Sequence, residues 1–239
     1  MILIKTIGGS RLYGLENQSS DWDYRGVYCH TTPDKILGLE CTNESTATQD
    51  ESNDIVLFEV RKFLKMLKKS NSTVLEILYA PGDKTIERCC RYYDIINNRE
   101  QLFDSEQFYS VLLGYTQSEI RLANGERTGK LGGKRRNSLD QYGFSPKNFC
   151  NLFRLYFTGI HLFKTGEYIV DWKSQPEIRH FLLDVKNNPE KFKKEELNKQ
   201  ANDLEKNLKS IKKESTIKYS FNEELANKIL TDLYKHFLY

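Results

Sequence analysis

Residues 8–28, GGSRLYGLENQSSDWDYRGVY, decide the fold, because they join a tight turn to the start of a strand. Before them, residues 2–7 (ILIKTI) are apolar and predict a first β-strand. Residues 8–10 (GGS) predict the turn that follows that strand. Asp21 and Asp23 then open a second strand rich in aromatic side chains. The stretch therefore predicts two early strands with a glycine turn and a pair of acids between them.

The carboxylates of the two aspartates repel each other unless a positive charge compensates them. Residues at i and i+2 of a strand share one face, so the carboxylates of Asp21 and Asp23 stand side by side. Their repulsion disfavours ionisation of both unless a cation lies between them, and Mg²⁺ prefers such hard oxygen ligands. Backbone N–H groups at Gly9 and Ser10 can hold phosphate oxygens. The pattern predicts phosphoryl or nucleotidyl transfer, and the alternative is an acidic surface turn.

The rest of the chain predicts a third strand and then mostly helices. DIVLFEV (54–60) is apolar and β-branched, which favours a strand, and residues 31–53 predict a loop with room for a short strand. The apolar residues of 60–69 recur at helical spacing, with basic residues on the other sides. Residues 83–104 predict partial helix. Further helices are predicted at 105–124, 145–166, 193–213 and 222–238, with a glycine-rich basic loop at 125–143.

Composition indicates a globular protein with an uneven charge distribution. Of 239 residues, 38% are apolar and 29% are charged, and no stretch has the roughly 20 consecutive apolar residues of a membrane helix. We therefore expect no membrane association and a cytoplasmic location. Residues 1–60 carry a net charge of −6 and residues 121–154 a net charge of +6. This distribution suits a divalent cation and a polyanion, or two solvated faces.

The quoted stretch resembles the DNA polymerase β superfamily of nucleotidyltransferases. The shared signature is a hydrophobic strand, a glycine turn (here IGGS), a gap of about ten residues, and acid-hydrophobic-acid (here DWDY). A third acid on a later strand completes it, and Glu59 in FEV fits, with Asp54 as the fallback. Over roughly residues 2–180 the chain resembles the bacterial and phage predicted nucleotidyltransferases associated with RNA repair. The chain has Asn71-Ser72 where that group commonly has Asn-Pro.

The resemblance implies an α+β fold and a set of site residues. It implies a polymerase-β-like catalytic domain at 1–104, with a small mixed sheet flanked by helices, and a helical nucleotide- or substrate-binding domain at 105–239. Two Mg²⁺ ions, or Mn²⁺, would be held by Asp21, Asp23 and the third acid. The nucleotide, ATP or another NTP, would be bound by Gly9, Ser10, Arg11, Lys130, Lys134, Tyr142, Lys147 and Arg154. Arg135 and Arg136 would contact RNA.

Three functions remain open from the sequence. The first is Mg²⁺-dependent transfer of a nucleoside monophosphate from an NTP to an RNA 3′ end, for example that of tRNA, with release of pyrophosphate. The second keeps this chemistry but transfers to a protein or a small molecule. The third is a non-catalytic RNA-binding protein on the same scaffold, which the acids at 21, 23 and 59 disfavour. The sequence leaves the nucleotide, the acceptor and the oligomeric state open.

Overall fold

A computed structural model describes residues 1–18, 20–38, 45–49, 53–126 and 133–238. The strands are β1 (Ile2–Ile7), β2 (Trp22–Tyr28), β3 (Ser45–Gln49), β4 (Asn53–Glu59) and β5 (Thr85–Arg88). The helices are α1 (Gly9–Leu12), α2 (Pro33–Leu37), α3 (Val60–Lys68), α4 (Ser72–Leu78), α5 (Tyr93–Asn97), α6 (Ser105–Ala123), α7 (Gly133–Tyr142), α8 (Pro146–Thr165), α9 (Pro176–Asn187), α10 (Lys194–Glu214) and α11 (Glu223–Leu238). This α+β architecture, with one sheet near the N-terminus and helices after it, confirms the predicted fold class.

The five strands form one mixed sheet in the order β3-β4-β2-β1-β5. β2 and β4 run parallel, and the other neighbouring pairs are antiparallel. The strands predicted at 2–7, 22–30 and 54–60 are confirmed within two residues. β5 lies where only partial helix was predicted, because this short edge strand is mostly exposed and has no alternating apolar pattern. β3 and α2 both lie in the segment predicted as a loop with room for a short strand.

Helix α3 covers the sheet with the face that its sequence predicts. Its apolar residues Val60, Phe63, Leu64 and Leu67 are all buried, and the helix contacts β2 and β4. Burying each such side chain contributes about 1.5–3 kcal/mol. Because α3 follows β4 without a loop, the last strand residue also caps the helix. The packing of α3 therefore fixes β4, and with it the parallel pairing of β4 with β2.

The chain divides into two compact units. The first comprises residues 1–108 and 218–239, and the second comprises residues 109–217. The last helix, α11, thus belongs to the unit that contains the sheet, and within it α11 contacts α2 and α3. The predicted boundary at 104/105 lies close to the first break between the units, but it does not anticipate the return of the chain. The assignment of catalysis and substrate binding to separate domains stays a prediction.

Within the second unit, α8 is the central helix. Ser145 and Gly166 flank it as predicted, with Pro146 in its first turn and Gly166 in the left-handed conformation at φ 80°. Helix α8 contacts α9 and α10, and the apolar stripe of α10 is buried in this unit through Leu197, Ala201 and Leu208. The predicted loop at 125–143 is wrong in its second half, which forms α7. After Gly133 that segment has no glycine until Gly143, so nothing interrupts a helix.

Candidate active site

The pairing of β2 with β4 places two acids side by side. Asp23 lies opposite Asp54 in the parallel register, and directly paired residues share one face of a sheet. Both side chains are half-buried, whereas Asp21, just before β2, is exposed. None of these three carboxylates accepts a hydrogen bond or forms an ion pair within the described residues. Two neighbouring carboxylates without a protein donor are disfavoured unless a cation joins them.

The glycine turn lies directly against Asp23. The Gly8 N–H donates to the Asp23 carbonyl oxygen at 2.7 Å, which continues the β1–β2 ladder past the end of β1. Gly9 has a φ of 58°, and a Cβ atom there would lie 2.0 Å from Oδ2 of Asp23. Glycine is favoured here, because the left-handed backbone angle strains other residues and a Cβ atom would displace the Asp23 carboxylate. The half-buried Ser10 follows at the same turn, so the predicted turn and one predicted acid are in contact.

The structure does not bring Glu59 to the aspartates, which corrects its assignment as the third acid. Glu59 pairs with Tyr28 at the far end of β4, five residues from Asp54, or about 16 Å at strand rise. Its side chain is fully buried and caps α3 by accepting from the N–H groups of Arg61 and Lys62. The Tyr234 hydroxyl donates to its other oxygen, Oε1. Its carboxylate is therefore satisfied within the fold.

Tyr234 is a donor that the sequence did not reveal. It comes from α11, lies 4% exposed, and has the Arg61 guanidinium 4.7 Å from its ring centroid. Burial, together with the Glu59 carboxylate, raises the pKa of Tyr234 above its usual range, so the phenol stays protonated. Tyr234 thus donates a buried hydrogen bond to the Glu59 carboxylate, at the end of β4 away from Asp54.

Arg11 contacts the segment that leads into β2. Its Nη2 donates to the carbonyl oxygen of Ser20 at 2.8 Å, and its Nε donates to that of Asp21 at 3.3 Å. The guanidinium carbon lies 3.9 Å from the ring centroid of Trp22. The Lys84 side chain, which is largely buried, donates from Nζ to the Arg11 carbonyl oxygen at 2.9 Å. No pattern in the sequence predicted Lys84, which lies in a short polar turn.

The remaining predicted residues lie in the second unit. Lys147 is exposed at the start of α8, whereas Arg154, two turns later, is 9% exposed. Tyr142 packs with its ring centroid 6.2 Å from that of Phe144. Arg136 is exposed on α7. Lys130 and the side chains of Lys134 and Arg135 lie outside the described residues.

The metal expectation can be tested on the described residues alone. In them, no group of three His, Cys, Asp or Glu side chains is close enough to hold a metal ion. The donor chemistry nevertheless fits Mg²⁺, because Asp23 and Asp54 are adjacent hard-oxygen ligands and have no protein cation as partner. Asp21, on the segment held by Arg11, is the third carboxylate nearby in sequence. The site thus offers an adjacent pair of carboxylates, with a third acid two residues before Asp23 in the sequence.

A mixed sheet, a glycine turn after its first strand and Asp23 on the next strand are the features expected of a polymerase-β-like nucleotidyltransferase. The chain belongs to the RNA repair pathway DNA polymerase beta family (RlaP), whose model matches residues 1–232. It is also similar to an uncharacterized protein, MJ0002, of Methanocaldococcus jannaschii, with 27% identity over 173 residues. That match covers 70% of this chain and 63% of the relative, so the chain spans less than two thirds of the relative's length.

Across the described ranges, the helices are too short or too polar to cross a bilayer.

Proposed function

We propose that the protein transfers a nucleoside monophosphate from an NTP to a hydroxyl group, with Mg²⁺ as cofactor and RNA as acceptor. The single observation that carries this proposal is the contact of the glycine turn with Asp23, beside Asp54. A phosphate-binding turn and a pair of carboxylates are the two halves of a nucleotidyl-transfer site, and here they meet at the N-terminal ends of β2 and β4. The family's description supports the chemistry and the RNA acceptor.

In this proposal Asp23 and Asp54 hold Mg²⁺, and Asp21 completes the ligand set. When bound, the metal neutralises phosphate charge and lowers the pKa of the attacking hydroxyl. Backbone N–H groups at Gly9 and Ser10 orient the β- and γ-phosphates. The acceptor oxygen forms a bond to the α-phosphorus, the bond from that phosphorus to the bridging oxygen breaks, and pyrophosphate leaves. Asp54 accepts the hydroxyl proton.

The exposed basic residues of the second unit are assigned to RNA phosphates. Lys147 and Arg136 are exposed, so they are available to a polyanion. Lys130, Lys134 and Arg135 belong to the same basic segment by sequence. Tyr142 already packs on Phe144, and Arg154 is largely buried, so neither is part of the proposed contact set.

A labelling experiment tests the proposal. Purified protein is incubated with Mg²⁺ and each α-³²P-labelled NTP in the presence of bulk RNA, protein or small hydroxyl compounds. We expect label on the RNA, no label with Asp23→Asn or Asp54→Asn, and full labelling with Asp94→Asn, an exposed aspartate of the same unit. Label on protein or on a small molecule alone would replace the RNA acceptor by that class. Salt-sensitive RNA binding without turnover would favour a non-catalytic role.

A further inference from the structure

Asp21 is the least anchored of the three acids. β2 begins at Trp22, so Asp21 lies outside the ladder that fixes Asp23 against Asp54. Its side chain is exposed and has no partner within the described residues. The position of its carboxylate therefore depends on what holds the backbone of residues 20–22.

Arg11 contacts this backbone, which is also held by the Ser20 N–H donating to the Asn17 carbonyl oxygen at 3.1 Å and by the pairing of Trp22 with Asn53. Two of its N–H groups are used on carbonyl oxygens of Ser20 and Asp21, and its flat face covers Trp22. Guanidinium groups suit this role because their donors form a rigid fork and their plane stacks on aromatic rings. The backbone of Arg11 is itself fixed, since its carbonyl oxygen accepts from the buried Lys84. The contacts thus link the glycine turn to the segment that carries Asp21.

We propose that Arg11 is a positioning residue that fixes the Asp21 carboxylate for metal binding. This inference rests on the proposed function, because it assigns Asp21 to the metal site. It differs from the expectation that Arg11 binds the nucleotide phosphates. A side chain that binds the nucleotide phosphates has an effect only when the nucleotide is present. A positioning residue affects metal binding even without the nucleotide.

Charge gives the test a definite sign. The guanidinium is a cation next to a cation site, so its removal by Arg11→Gln should tighten metal binding if charge alone acted. Positioning predicts the opposite, because the Asp21 carboxylate would then sample many positions. Arg11→Lys keeps the charge but loses the two-donor fork and most of the stacking, so it isolates geometry from charge.

The experiment measures Mn²⁺ affinity without nucleotide, from the electron paramagnetic resonance signal of free Mn²⁺. Arg61→Lys is the matched control, because Arg61 also donates to a carbonyl oxygen, that of Ile36 at 2.8 Å, and also covers an aromatic ring, that of Tyr234. We expect Arg11→Lys and Arg11→Gln each to weaken Mn²⁺ binding about tenfold, the lower end of the effect of residues that orient metal ligands. Arg61→Lys should leave the affinity unchanged.

The remaining outcomes separate this inference from the proposed function. Loss of Mn²⁺ binding in Asp23→Asn and Asp54→Asn establishes the metal site independently of Arg11. Unchanged or tighter binding in Arg11→Gln, with a raised KM for the NTP, would overturn positioning in favour of a phosphate contact. If the Arg11 variants fail to fold by circular dichroism, Trp22→Ala serves instead, with weakened binding expected and Trp22→Phe restoring it. No Mn²⁺ binding by the unchanged chain would overturn both the metal site and this inference.

Discussion

The two ends of β4 carry acids that differ in burial and in hydrogen bonding. At one end, Asp54 is half-buried, lies beside Asp23 and accepts no hydrogen bond from the described residues. At the other end, Glu59 is fully buried and accepts from two backbone N–H groups and from Tyr234. A buried charge is tolerated only when it is well paired, so Glu59 is held by the fold. Asp54, which accepts no hydrogen bond from the described residues, is therefore the acid of the two that we propose for the chemistry.

Neutralising each acid in turn gives the largest expected difference between the two ends of β4. We expect Asp54→Asn to lower nucleotidyl transfer by well over a hundredfold, because residues that merely orient metal ligands already cost 10–100-fold. Its melting temperature should stay close to that of the unchanged chain. Glu59→Gln should retain most activity below its melting temperature but melt earlier. Initial rates and thermal melts of the two variants check this, and a catalytic loss confined to Glu59→Gln would reverse the assignment.

A second variant tests the close approach of Gly9 to Asp23. Gly9→Ala places a methyl group against Oδ2 of Asp23 and forces a non-glycine residue into a left-handed backbone, at about 1–2 kcal/mol. We expect lower stability and at least about tenfold lower activity, because the displaced carboxylate is a proposed ligand. The measurements are urea denaturation and turnover.

Gly82→Ala is the control for Gly9→Ala, since a Cβ at Gly82 meets no atom within 4 Å. It should change neither quantity appreciably. Equal effects of the two substitutions would show that the turn at Gly9 has no special role.

The opposite end of β4 is tested through Tyr234. Tyr234→Phe removes the phenolic donor and leaves Oε1 of Glu59 buried without it, which should destabilise the protein by about 1–3 kcal/mol. Activity per folded molecule should not change, because Tyr234 donates to Glu59 at the end of β4 away from Asp54. Urea denaturation followed by circular dichroism measures the loss.

Tyr24→Phe is a suitable control for Tyr234→Phe, because Tyr24 is a half-buried tyrosine of the same unit and lies on β2. It should cost less stability than the loss of the Tyr234 hydroxyl. An unchanged midpoint in Tyr234→Phe would contradict a stabilising bond to Glu59.

The smallest expected effect is a dependence on alkaline pH. Burial raises the folded-state pKa of Tyr234, so above about pH 10 the unfolded chain loses this proton while the folded chain keeps it. The contribution of Tyr234 to the free energy of unfolding is therefore complete below about pH 10 and is lost as the pH rises further. The slope of the unfolding free energy between pH 9.5 and 10.5 should be smaller in Tyr234→Phe. Identical slopes would contradict the raised pKa.

The sequence predicted the aspartate end better than it predicted the identity of the third acid. The glycine turn and Asp23 are close in sequence, so their contact follows from two short strands and the turn between them. The parallel pairing of β2 with β4 involves distant segments, and one sequence does not reveal its register. Glu59 fits a hydrophobic-acid-hydrophobic pattern, but helix caps favour acids as well. Its deciding partner, Tyr234, lies 175 residues away.

The return of the chain to its first unit has a consequence for synthesis on the ribosome. Glu59 is translated early, yet the phenol that it accepts from follows 175 residues later. At about 5–20 residues per second, roughly 10–35 seconds separate the two residues. Throughout that interval the sheet can form its aspartate end, while the carboxylate at its other end lacks its last donor. The final turns of α11 thus complete a structure whose strands were made first.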